Sequence, residues 1–395
     1  MTSISNLEAH GVPVTAHGGP LETTVPVYDA DQLRSLLDLG LDEAGREAHY
    51  QALFGGVTPA ASDAVSKLTA HAIGNGTLSD ADKAAAAPAF PITAHVTANA
   101  TGPITINARY DLSTPDGSPR IVSFTDVIID QGGYFVCEAT PLTFTCNTLT
   151  RNGNSGSTNI ADFNILGRAP ATPPTPPTPA GATQASAGYG GECSSAGIAG
   201  HGGGPGNQGA AGTPGTGGSP GLQGQASMPA TITIQSALNS NISVYSQSGV
   251  GGQGGNGGQG GPGQQGGNGG GGVTCDCTGN AGGQGGDGGN GGVGGNGGDG
   301  GNASDAGGNV VVRVPAGETG KVASTSAPAP PGAPGTPGPG GIPGAGGTGG
   351  GGGKNNNGGS KGGTGTYGAS GQQGKAGTIT GRAAQIQVLV VPPAA

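Results

Sequence analysis

Five cysteines are the side chains whose spacing most invites chemistry in this chain of 395 residues. Cys137 and Cys146 lie nine apart across an expected β-hairpin. That spacing allows a cross-strand disulfide or two buried thiols, and the disulfide is the expectation. Cys275 and Cys277 form a C-x-C unit where a glycine repeat is interrupted. No Cys/His quartet of zinc spacing accompanies them, so no metal is expected. One of the two is expected to pair with Cys193, stapling the first glycine block to the second. The six histidines (His10, His17, His49, His71, His95, His201) are scattered, four of them in the front end. There is no G-x-S-x-G, H-E-x-x-H or GK[ST] signature. G-x-G-x-x-G matches occur everywhere and therefore carry no information. Arg120, Asp126 and Asp130 are the loose candidates for polysaccharide chemistry on a β-solenoid face. No catalytic group, cofactor or metal is assigned.

What must position any site is a chain with glycine at every third residue through long blocks. From Gly188 to Gly224 only Ser194 breaks the phase, and from Gly332 to Gly377 only Asn356. Gly251 to Gly272 and Gly279 to Gly300 are unbroken. A period of three fits neither the α-helix nor the strand, but matches a left-handed extended helix with three residues per turn. The third block is partly collagen-like, whereas the middle block reads Gly-Gly-X and suits side-by-side polyglycine II packing. A 22-residue run would reach about 68 Å unbroken. Each block is followed by strand-like segments: 230–234 and 241–245, 309–314 and 320–324, then 384–391. β-Branched runs bounded by Pro and Gly predict strands, and the threefold alternation reads as an internal repeat.

Gly 91 and Pro 31 dominate the composition, aromatics are 3% and tryptophan is absent, so the second half cannot build an ordinary core. The net charge of -9, without a Lys/Arg cluster, gives no support for nucleic-acid binding. No run approaches the ~20 apolar residues of a membrane span. The N-terminus lacks the parts of a classical secretory signal.

The row between the glycines holds Gln253, Asn256, Gln259, Pro262 and Asn268, then Gln284, Asp287, Asn290, Val293, Asn296, Asp299 and Asn302. An array of amides and carboxylates is a hydrated surface, and also the candidate contact row for a carbohydrate, a receptor or another subunit. Ice-binding faces favour regularly spaced Thr or Ala, which this row lacks. Asp287 and Asp299 would lie about 37 Å apart along a straight helix, too far to share a metal.

The first half differs in kind. Residues 31–39 and 62–73 show helical spacing, Asp31 serving as N-cap of the first and Leu33, Leu36 and Leu37 forming its apolar face. From Ile92 alternation takes over, with short strands at about ten-residue spacing that predict a β-sandwich or β-solenoid. The expected organisation is a small helical docking or assembly module at 1–88, the β unit at 89–169, a Pro-rich spacer at 170–187 and a glycine-rich region with strands at 188–395. The predicted fold class is mainly β plus polyglycine II/PPII helix bundles, with a small α-helical N-terminal module.

The runs from Gly251 to Gly272 and from Gly279 to Gly301 resemble the glycine-rich segments of polyglycine II proteins. These include the tail-tip adhesins of T-even-like phages, the snow flea antifreeze proteins and, by composition, mycobacterial glycine-rich surface proteins. The resemblance covers about residues 188–380 and concerns architecture; the long N-terminal portion and the proline-rich blocks depart from it. In the adhesins it implies a glycine sandwich whose loops bind a host receptor. The resulting expectation is a non-enzymatic structural protein, extracellular or on a virion surface, that forms or tips a filament, appendage or fibre by self-association. The alternative is an adhesin for a cell-surface glycan or receptor, of the phage tail-tip type, with ice binding ranked below it.

Overall fold

The computed structural model describes residues 3–37, 40–54, 64–153, 160–304 and 307–391. Two sheets form its frame. The larger contains β1 (Leu21–Val27), β2 (Ile92–Ile106), β4 (Arg120–Ile129), β6 (Leu142–Arg151), β8 (Ala230–Leu238), β12 (Val310–Val314) and β14 (Ile386–Val390), in that spatial order. The smaller contains β3 (Arg109–Asp111), β5 (Tyr134–Glu138), β7 (Phe163–Leu166), β9 (Ile242–Gln247) and β13 (Val322–Ala327). Within these two sheets every pairing is parallel except that of β1 with β2. From β2 onward the chain visits the two sheets alternately and climbs one rung on each visit.

Alternation explains why the sheets pack. Inward residues such as Phe144, Leu149, Ile232, Ile234, Val310 and Val312 meet Phe135, Phe163, Ile165 and Val244 in one continuous core. Phe135 stacks on Phe163 at 4.9 Å, and Phe144 meets both edge-on at 5.3 and 5.2 Å. Truncating such a ring costs about 3–5 kcal/mol.

Among the described residues six α-helices accompany the large sheet: α1 (Ser3–Ala9), α2 (Val14–His17), α3 (Ala30–Leu36), α4 (Glu43–Phe54), α5 (Ala64–Ile73) and α6 (Asp80–Ala86). Leu7, Val14, Leu33 and Leu36 pack on Val25, Val27, Ala94 and Val96, while Ala52 and Leu53 cover Val311. The cap of α3 is Asp29, whose side chain accepts from Gln32 N at 2.8 Å, so this helix starts before the expected Asp31. The expected helical stretches also run into 38–39 and 62–63, outside the described residues.

The fold class therefore needs correction. The chain is a mixed α/β fold, with a seven-stranded, mostly parallel sheet and a five-stranded parallel sheet, and not a mainly-β assembly of polyglycine II/PPII bundles beside a helical module. The physical reason lies in the bulky segments between the glycine blocks. Val310 pairs with both Ala230 and Ile386, so those segments join one sheet with the 92–151 strands instead of merely anchoring glycine. The glycine blocks are the connections from a strand of the small sheet to the next strand of the large one.

One histidine is locked beneath the helices. His49, on α4, is fully buried, 3.1 Å from Thr231 Oγ1, and its Nδ1 lies 3.2 Å from an Arg313 guanidinium nitrogen. Burial first, then Arg313 and Arg46, hold its pKa down to about 3. The unfolded chain takes up this proton near ~6.5, so it binds more protons than the native state below that pH. His49 thus contributes full stability above about pH 6.5 and progressively less as the pH falls toward 3. Urea midpoints measured between about pH 7 and pH 4 should fall, and the fall should be shallower in His49→Gln.

Candidate functional site

The three glycine connections each run out from the sheets and return. Their outward legs span 168–191, 249–272 and 330–353, and their return legs 201–225, 280–302 and 358–381. Backbone amides link the legs at every third residue. Gly283 through Gly301 donate to the carbonyls of Gly270 through Gly252 at 2.8–2.9 Å, antiparallel. Neighbouring glycines 285 through 300 donate to 360 through 375, parallel. The leg 249–272 donates likewise both to 204–222 and to 330–351.

Glycine content follows the number of neighbours. The two Gly-Gly-X legs, 249–272 and 280–302, are each bordered by four other legs. A Cβ added at Gly282 would stand 2.0 Å from Gly350 O, and one at Gly283 would stand 1.9 Å from Gly204 O. Outer legs carry fewer bare positions. The proline-rich run lies along the array, with Cβ atoms of Pro170, Pro173 and Pro176 covering Gly252, Gly255 and Gly258.

Much of the candidate contact row stitches neighbouring legs together while Asp287, Asn290, Asn296 and Asp299 stay exposed. Oδ1 of Asp287, Asn290, Asn296, Asp299 and Asn302 accepts from the amides of Gly363, Thr366, Gln372, Lys375 and Thr378 at 2.6–2.9 Å. Asn256 accepts from Thr336 N and Asn268 from Thr348 N, both at 3.0 Å. These side chains supply acceptors for amides that meet no backbone carbonyl. Gln253 and Gln284 are exposed and Gln259 is half-buried.

At the far end the three turns stack. The first, 192–200, is tied to the second by Asn280 Nδ2, which donates to Glu192 O at 3.0 Å and to His201 O at 2.6 Å. A disulfide joins Cys193 to Cys275 across 82 residues. The second turn is a short hairpin, β10 (Thr274–Cys275) with β11 (Thr278–Gly279), and Thr274 Oγ1 accepts from Lys354 N of the third at 3.0 Å. Tyr189 and Ile198 remain 64% and 63% exposed beside this stack, and the Tyr189 ring meets His201 edge-on at 5.6 Å.

The expected Cys137–Cys146 disulfide is absent; both are free and buried, whereas Cys277 is free and exposed. The chain between Cys137 and Cys146 passes from the small sheet to the large one instead of turning a hairpin, so they are not cross-strand partners. Cys137 donates to Thr140 O at 3.3 Å; burial pushes its pKa up to about 12 and raises that of Cys146 further. Arg120 and Asp130 stand at opposite ends of β4, about 33 Å apart, and Asp126 is hydrogen-bonded to Thr148, so these three form no cluster. Among the described residues no group of three His, Cys, Asp or Glu side chains could hold a metal ion, and no helix is long and apolar enough to cross a membrane. Comparison with protein-family models, curated proteins and solved structures returned no match.

Sequence reading overlooked His49, Thr231 and Arg313 as a group. A charged residue inside the β-branched run 310–314 was the available signal, since a buried arginine needs partners.

Two measurements test this description. Thiol titration without reductant should find one reactive thiol in the native chain and three after denaturation; a single thiol in denaturant would mean Cys137 and Cys146 are joined. Gly292→Ala, which places a Cβ 2.0 Å from Thr213 O, should destabilise by at least ~1–3 kcal/mol, whereas Gly271→Ala, with open space around it, should be near neutral in thermal melts.

Proposed function

We propose that this chain is a non-enzymatic structural protein that forms or tips an extracellular appendage, filament or virion fibre. The observation that carries this reading is the array of six legs, bonded amide to carbonyl at every third residue and closed at its far end by three stacked turns. Such an array gives stiffness and reach with little side-chain mass. The two sheets act as its base. Self-association is supported by the β14 edge, where Val390 is 46% exposed and the backbone faces no further strand among the described residues. Open strand edges template pairing with another chain. A disulfide spanning two turns suits an oxidising compartment.

One observation favours the adhesin as a second reading. Tyr189 and Ile198 are exposed beside the stacked turns, and aromatic rings with a polar tip are frequent contact residues. Sedimentation velocity over a hundredfold concentration range, with negative-stain microscopy, distinguishes the two. Concentration-dependent polymers that vanish in Val388→Lys would support assembly through the sheet edge. A discrete species at every concentration would overturn the filament. Saturable binding to a glycan panel, lost in Tyr189→Ala, would move the function to recognition.

A further inference from the structure

Between α4, α5 and the outer face of the large sheet lies a cavity of about 310 Å³. Its size falls at the lower end of small-molecule sites. Its walls are apolar, formed by Leu53, Phe54, Leu68 and Met228 among others, and its polar margin includes His49 and Thr231.

The hydrogen-bond directions at that margin follow from chemistry. Arginine has donors only, so the Arg313 guanidinium donates to His49 Nδ1 at 3.2 Å. Nδ1 is then the acceptor nitrogen of a neutral imidazole, and the proton sits on Nε2. Nε2–H donates to Thr231 Oγ1 at 3.1 Å. This occupies the oxygen and leaves the Thr231 hydroxyl hydrogen as a donor. Among the described residues nothing accepts it, although Thr231 is only 4% exposed. A buried hydroxyl donor without an acceptor costs about 1–3 kcal/mol.

Charge points the same way. Arg313 is 5% exposed, its Nε meets no hydrogen-bond partner, and no carboxylate pairs with it among the described residues. A buried cation without a counter-ion is expensive. The apolar cavity thus has one electropositive end, where a positive charge is relayed through a neutral imidazole to a hydroxyl donor.

We propose that this cavity binds a medium-chain aliphatic carboxylate, its hydrocarbon among Leu53, Phe54, Leu68 and Met228 and its carboxylate accepting from Thr231. The apolar walls take the chain, and the Arg313–His49–Thr231 relay selects an anionic head over a neutral one.

Isothermal titration of the full chain with decanoate, decanol and butyrate tests this. The expected result is saturable decanoate binding at one site per chain, at least tenfold tighter than decanol, and none with butyrate. Thr231→Val should weaken decanoate binding about tenfold and Thr231→Ser should retain it. Leu53→Trp, which fills the cavity from its apolar side, should abolish binding. Decanoate binding no tighter than decanol, or unchanged in Thr231→Val, would overturn the anionic-head assignment. Absence of decanoate binding to the unaltered chain would overturn the site.

Discussion

A carbonyl oxygen standing about 2 Å from where a neighbouring residue's Cβ would be is the constraint on which the projecting half of this molecule depends. Real side chains never tolerate such an approach, so each of these positions must be glycine. The close approach also brings amide and carbonyl to 2.7–3.3 Å, and satisfies backbone groups that lie outside the helices and strands. Glycine loses more conformational freedom on ordering than any other residue. The array offsets that loss by cooperation, since the inner legs bond to several neighbours at once. It also has a fixed starting geometry, because each leg leaves the sheets one rung above the last.

The sheets and the legs share one repeat. Ala230 pairs with Val310, and Ile242 with Val322, each 80 residues on. Asn256 meets Thr336 at the same separation along the outward legs. On the last return the separation falls to 76, both in the array, where Asn290 meets Thr366, and in the sheet, where Val310 pairs with Ile386. The four missing residues lie at the tip. The β10–β11 hairpin of the second turn is replaced by a tighter turn through Asn355, whose φ of 60° is left-handed. The break in glycine phase at Asn356 is this shorter turn.

Parts of this organisation were legible in the residues. Glycine phase marked the legs, β-branched runs such as Val310–Val314 marked strands, and the interruption at Cys275 marked a reversal that a disulfide to Cys193 now secures. The partners of those strands were not legible. A five-residue valine-rich run carries no label for a parallel neighbour 80 residues away, so the glycine appeared to be the frame and the sheets its trimmings. Cys137 and Cys146 misled for a related reason: nine residues can turn a hairpin or cross between sheets, and spacing alone does not separate the two. In the contact row, Asn290 and Asp299 are exposed, but their bonds to amides of the next leg were not legible because those partners lie 76 residues later. His49 and Arg313 lie 264 residues apart, and only the docking of α4 on β12 unites them.

A repeat in which each new unit adds one leg out, one leg back and one rung to each sheet imposes unequal rules on growth. Duplicating a whole unit widens the slab and needs no change elsewhere, because the new legs meet neighbours of the kind already present. Lengthening it is harder. Three residues inserted into one leg would throw its amides past the ends of the legs beside it, so all six must lengthen together. In a lineage built this way, breadth is free to vary through single duplications. Reach is inherited nearly fixed.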